Sequence, residues 1–166
     1  YQKAADQGIA AAQNDAAVMY SNGDATEKDE GKAFSLFLKS AEQGDPLAEN
    51  ALAIMYAKGT ATAQDYGEAI RWFMRSAEHG YAEAEMNIAR MYLKGLGVEK
   101  SGAAVVKWVR RAAEHGNAEA QYSLGNMYIT GRLVRQDSME GLRWMAEAAA
   151  QGEERAAELL RLLRQG

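Results

Sequence analysis

The chain has 166 residues, one proline, no cysteine, 48% hydrophobic and 25% charged residues, and a formal charge of -4 from 19 basic and 23 acidic side chains. Without cysteine there is no disulfide framework, thiolate metal site or cysteine nucleophile, and both a cytosolic and a periplasmic home stay open. The charges are scattered, so no basic stripe offers itself to nucleic acid and no apolar run approaches the roughly 20 residues that cross a membrane; neither nucleic-acid binding, membrane insertion nor a signal segment is expected.

Glycine recurs every 36 residues, at Gly8, Gly44, Gly80, Gly116 and Gly152. The pairs Met19-Tyr20, Met55-Tyr56, Met91-Tyr92 and Met127-Tyr128 keep the same interval, each followed by a glycine, and Leu36, Trp72, Trp108 and Trp144 form a third column. Such self-similarity is the mark of a repeat architecture. Residues 1–8 match the end of a second helix, so the chain is expected to begin inside a longer protein; residues 9–44, 45–80, 81–116 and 117–152 are four repeats, and 153–166 is a last helix. Together they are expected to form one solenoid.

Each repeat reads as helix A, a glycine-containing loop and helix B, with helices of about 13 residues. In the first repeat Ala16 stands in a column held by Leu52, Ile88 and Leu124 in the others, and Asp29 caps helix B. The second has Gly44 as a left-handed stop, Asp45 as N-cap and Pro46 at the first helical position, then Asp65 and Glu68 at capping-box spacing. The third has the turn Gly95-Leu96-Gly97, which lacks the lysine and preceding strand of a phosphate loop, and caps with Ser101. The fourth repeats the capping-box spacing at Asp137 and Glu140. In the final helix Arg161 and Arg164 replace the small and tyrosine columns, giving the polar outer face that a terminal helix needs.

Helix A carries an apolar stripe, in the second repeat Ala48, Leu52, Ala53, Met55 and Tyr56. Ala53 has the counterparts Ala17, Ala89 and Gly125, small enough for two helices to approach closely. Helix B carries Ala69, Trp72, Phe73 and Ala77. One helix pair cannot bury both stripes, so neighbouring repeats must stack.

The succession Leu124-Gly125-Asn126-Met127-Tyr128, Gly131, Asp137, Trp144 and Ala148-Ala149-Ala150-Gln151-Gly152 resembles a Sel1-like repeat, a relative of the tetratricopeptide repeat. The junction from Ala112 to Gln121 is similar to that family as well. The resemblance implies an all-α, right-handed superhelix of four helix-turn-helix repeats with a C-terminal capping helix. It also implies a bacterial scaffold or adaptor with a protein or peptide in a concave groove of A helices.

Repeat columns left free to differ share one face of helix A, at i, i+4 and i+7. They are Asn14, Asn50, Met86 and Tyr122; Val18, Ile54, Arg90 and Asn126; and Ser21, Ala57, Leu93 and Ile129, edged by Asn22, Lys58, Lys94 and Thr130. The chemistry strengthens along the chain into an exposed patch containing Met86, Leu93 and Ile129 beside Arg90, Tyr122 and Asn126, residue types that concentrate energy at interfaces. The expected partner site is therefore Asn50, Ile54, Lys58, Met86, Arg90, Leu93, Lys94, Tyr122, Asn126 and Ile129.

Catalytic readings lack a constellation. His79 and His115 are one repeat apart, aligned with Gln7, Gln43 and Gln151, and read as polar helix ends that favour the C-terminal dipole. Acid pairs such as Glu83 with Glu85 sit at helix starts, where carboxylates favour the N-terminal dipole. No enzyme activity, cofactor or metal is expected. The competing classes are a binder or hydrolase of cell-wall fragments and a structural spacer or dimerisation module.

Overall fold

A computed structural model describes residues 8–24 and 27–163. The helix end expected over residues 1–8 falls, apart from Gly8, outside that range, as does Arg164. Among the described residues all regular structure is helical, in the order α1 (Ala10–Asn22), α2 (Glu30–Glu42), α3 (Pro46–Lys58), α4 (Tyr66–Glu78), α5 (Ala82–Lys94), α6 (Gly102–Glu114), α7 (Ala118–Thr130), α8 (Ser138–Ala150) and α9 (Glu154–Leu163). Odd-numbered helices are the A helices and even-numbered ones the B helices. The chain divides into two compact units, residues 1–84 and 85–166, with the division inside α5.

Every helix B starts with the same device. The side chains of Asp29, Asp65, Ser101 and Asp137 accept from the backbone N–H groups of Lys32, Glu68, Ala104 and Glu140. These bonds satisfy amides that the first helical turn leaves without partners. The reciprocal half of the capping box is not made. Instead the amides of Asp29, Asp65, Ser101 and Asp137 donate to the carbonyls of Tyr20, Tyr56, Tyr92 and Tyr128. Each loop is thereby tied to the last turn of its helix A. Glu68 and Glu140, freed from the box, pair with Arg71 and Arg143.

Helix A ends on a left-handed glycine, Gly23, Gly59, Gly95 or Gly131. Two residues further on, the backbone turns left-handed again at Ala61 (φ 58°), Gly97 (φ 67°) and Leu133 (φ 66°). A side chain is disfavoured there by roughly 1–2 kcal/mol, which only glycine escapes.

In the first unit the core gathers Ala17, Ala33, Phe37, Ala41, Ala48, Leu52 and Met55, flanked by Tyr20, Phe34, Tyr56 and Trp72. Ser40 and Ser76, both fully buried, donate to the carbonyls of Ala10 and Pro46 at 2.7 Å, fastening helix B to the start of helix A in the first two repeats. In the second unit Met145, Ala148 and Ala156 form a cluster covered by Tyr122, Ile129, Leu159 and Leu160. On α9 Arg161 is exposed as expected, but so are Leu162 and Leu163, so its outer face is not uniformly polar.

The small column meets helix B at closest approach. A Cβ on Gly125 would lie 2.9 Å from the carbonyl oxygen of Gly141, and a Cβ on Gly141 would lie 2.8 Å from that of Gly125 and 3.0 Å from the amide nitrogen of Ile129. Backbone on both sides leaves no flexible atom to yield. Gly141→Ala is therefore expected to cost about 1–3 kcal/mol in urea unfolding. Gly31→Ala, whose new methyl would meet nothing closer than a carboxylate oxygen at 3.4 Å, is expected to stay within about 0.5 kcal/mol of the parent.

Candidate groove between α5 and α7

In the second unit α5 and α7 lie side by side over α6. Between them is a cavity of about 230 Å³, lined by Met86, Ala89, Arg90 and Leu93 of α5, Val105 and Val109 of α6, and Glu119, Ser123 and Met127 of α7. Its floor is apolar. Across its mouth Arg90 places one guanidinium nitrogen 2.8 Å from Glu119 and another 2.9 Å from the side-chain oxygen of Asn87. Both partners of this ion pair are more than two-fifths exposed, so solvent screens it.

Of the ten residues expected at a partner site, the structure brings Met86, Arg90 and Leu93 together in this groove, with Lys94 exposed at the end of α5. Met86 is not an exposed anchor: at 5% exposure it forms part of the floor of the cavity that Ser123 and Met127 of the next A helix also line. Nor do Tyr122 and Ile129 join the groove. Tyr122 is covered by the Arg155 guanidinium, 4.4 Å from its ring centre, and both residues pack on the Met145 cluster. Asn126 is exposed, its carbonyl accepting from the Thr130 hydroxyl. In the first unit Asn50 is buried, Ile54 half-buried and Lys58 exposed. Ser123 and Glu119 were missed by sequence reading. Ser123 was discoverable, since its column holds Asp15, Ala51 and Asn87 and varies as freely as those chosen.

A second feature was also missed. Glu49 and Glu85, in the first turns of α3 and α5, are completely buried. Glu49 lies 3.1 Å from Arg75 and 3.8 Å from His79; Glu85 lies 2.6 Å from Arg111 and 2.9 Å from Nδ1 of His115. The histidines therefore do more than end helices, because each reaches a buried carboxylate. At the matching places the first and fourth repeats hold neutral pairs, Gln43 donating to Gln13 and Gln151 to Gln121, both at 2.7 Å. Glutamate always accompanies histidine and glutamine always accompanies glutamine, a joint exchange that was visible in the sequence. Burial raises the Glu49 carboxyl above its ordinary range, against the lowering pull of Arg75 and His79 and with a small push from Asp45.

The paired helices, the 36-residue register and the shared caps agree with a match to the Sel1 repeat family over residues 1–9, 10–45, 46–81, 82–117 and 118–153. The chain belongs to the Sel1 repeat family. Sel1 repeats are in general modules of protein–protein interaction, and their scaffold is generally non-enzymatic. A Sel1 repeat protein from Oxalobacter formigenes is 33% identical, with 90% of this chain and 61% of that one covered at a TM-score of 0.83. The protein c5321, a protective antigen of uropathogenic Escherichia coli displaying an SLR fold, is 32% identical, with 94% of this chain and 33% of that one covered at a TM-score of 0.86. The Pseudomonas aeruginosa immunity protein Pa5087 shares the fold at 23% identity and a TM-score of 0.62, with 95% of this chain and 58% of that one covered. This Sel1 chain thus spans less than two thirds of the length of each. No curated protein matches the sequence. Among the described residues no helix is long and apolar enough to cross a membrane.

The buried glutamate gives a signed expectation. With its folded-state pKa raised, Glu49 contributes stability that is complete below about pH 4.5 and is lost as pH rises through the folded value. A Glu49→Gln/His79→Gln variant, which copies the neutral pair, is expected to gain on the parent as urea unfolding is repeated from pH 4 to pH 7. Arg75→Met, which leaves the carboxylate with His79 alone, is expected to lose about 1–3 kcal/mol at pH 7.

Proposed function

We propose that this Sel1 repeat chain is a non-catalytic adaptor that holds a protein segment in the groove between α5 and α7. The observation that carries the reading is an apolar floor open to solvent beneath a polar rim. Val105, Val109, Met86 and Met127 offer dispersion contact, with the Arg90–Glu119 pair and Ser123 above them. Interfaces concentrate their energy in such desolvated centres ringed by polar groups. Methionine thioethers adapt to differently shaped side chains, which suits a segment in place of a rigid small molecule. In the first unit Ile54 and Lys58 offer an aliphatic surface and a cation at the helical positions of Arg90 and Lys94. Sel1 repeat proteins of bacteria with more than 30% identity carry the same fold, which supports a bacterial adaptor.

The deciding variant fills the groove without removing core atoms. Ser123→Phe projects a ring into the cavity from a half-buried position. A photo-activatable side chain at the exposed Leu93 is expected to crosslink a protein from a bacterial lysate, and Ser123→Phe is expected to reduce the yield at least tenfold with helicity unchanged. A probe at Glu114, on the exposed end of α6, is the control. Equal capture from both probes, or no effect of Ser123→Phe, overturns the groove.

A further inference from the structure

We infer, resting on the groove reading, that the segment it takes is acidic: one large apolar side chain enters the cavity and a carboxylate beside it meets the cations at the C-terminal end of α5 and α7. The cavity, at about 230 Å³, has room for one side chain and not for the face of a helix. The charges inside its mouth cancel, since Arg90 and Glu119 are bound to each other and Asn87 holds the guanidinium from its other side. Mid-groove, a partner's charge therefore finds no counter-charge.

The end of the groove is different. Lys94 follows the lining residue Leu93, Arg132 follows the glycine that ends α7, and the Lys100 side chain folds back over Gly95, its Cγ 2.9 Å from where a Cβ would stand. All three are exposed, and among the described residues none has an ion-pair partner. The loops after α5 and α7 also hold Glu99, Arg135 and Asp137, so with Lys94 cations outnumber acids there four to two. In a chain whose formal charge is -4, this end carries the opposite sign. Cations there also favour the helix C-terminal dipoles, yet that role leaves the ammonium and guanidinium groups facing water, open to a second anion. A segment with basic flanks is repelled at the same place, so the arrangement selects as well as attracts.

The test pans a displayed library of random 12-residue peptides on the intact chain, with the Ser123→Phe variant panned in parallel. Parent-specific sequences are expected to carry aspartate or glutamate within three positions of leucine, methionine or phenylalanine. By fluorescence anisotropy, a synthetic peptide of that kind should bind at least tenfold more weakly to Lys94→Glu/Arg132→Glu, and weaken with salt. The same peptide with lysine in place of its acid should prefer the charge-reversed variant, a rescue that misfolding cannot produce. Neutral or basic parent-specific peptides, or less than a threefold change on charge reversal, overturn the acidic occupant while leaving the groove in place. If nothing binds the parent above Ser123→Phe, or if sedimentation shows the groove filled by a second copy of the chain, both readings fall.

Discussion

Two helices joined by a short loop can lie tightly together only if the side chains where they cross are small, and this chain meets that condition with Ala17, Ala53, Ala89 and Gly125. The first two alanines are fully buried and Ala89 nearly so, and at Gly125 the contact is backbone against backbone with Gly141. Close contact lets the larger residues on either side, such as Leu52 with Phe73 or Leu124 with Met145, reach full burial from helices of 13 residues. It also fixes where the loop must end. The capping amide then falls under the carbonyl of the tyrosine column, so crossing, loop and cap form one mechanical unit repeated along the chain.

Most of that unit was legible because each repeat serves as an alignment of the others. Asp29, Asp65, Ser101 and Asp137 differ in identity but share a role, which the 36-residue register exposes directly. The capping box was read too fully from spacing alone, since a tyrosine carbonyl from the preceding helix won the amide that Glu68 was expected to accept. Face assignments failed for a related reason. Periodicity places Met86 on the side of the helix that varies, but whether that side meets water depends on Ser123 and Met127, which are far away in sequence and close in space. Glu85 was misread in the same way. A carboxylate in a first turn ordinarily points to solvent, and only the arrival of Arg111 and His115 makes its burial tolerable.

The α5–α7 groove and the corresponding place between α7 and α9 show how one column takes part in different contacts. Glu119 and Arg155 occupy equivalent places on α7 and α9. As an acid, Glu119 bonds to Arg90 and leaves apolar floor uncovered beneath. As a base, Arg155 lies over the Tyr122 ring, with Glu153 holding the guanidinium at 2.7 Å. The repeat register is common to both, and the surfaces differ through this exchange together with Met86 against Tyr122 and Arg90 against Asn126.

The buried polar pairs have a bearing on how such chains change length. Gln13 with Gln43, Glu49 with His79, Glu85 with His115 and Gln121 with Gln151 each join positions 30 residues apart within one helix pair. An unequal crossover of 36 codons whose breakpoint lies between repeats carries acceptor and donor together, whereas one whose breakpoint lies inside a repeat re-pairs them, joining Glu85 for example to Gln151. Only the first kind leaves every buried carboxylate beside its own histidine and arginine. Repeat number is thus free to drift by exchange of whole repeats while the electrostatics of every surviving pair remain closed, whereas point mutation must change two or three positions at once to pass from the neutral to the charged version.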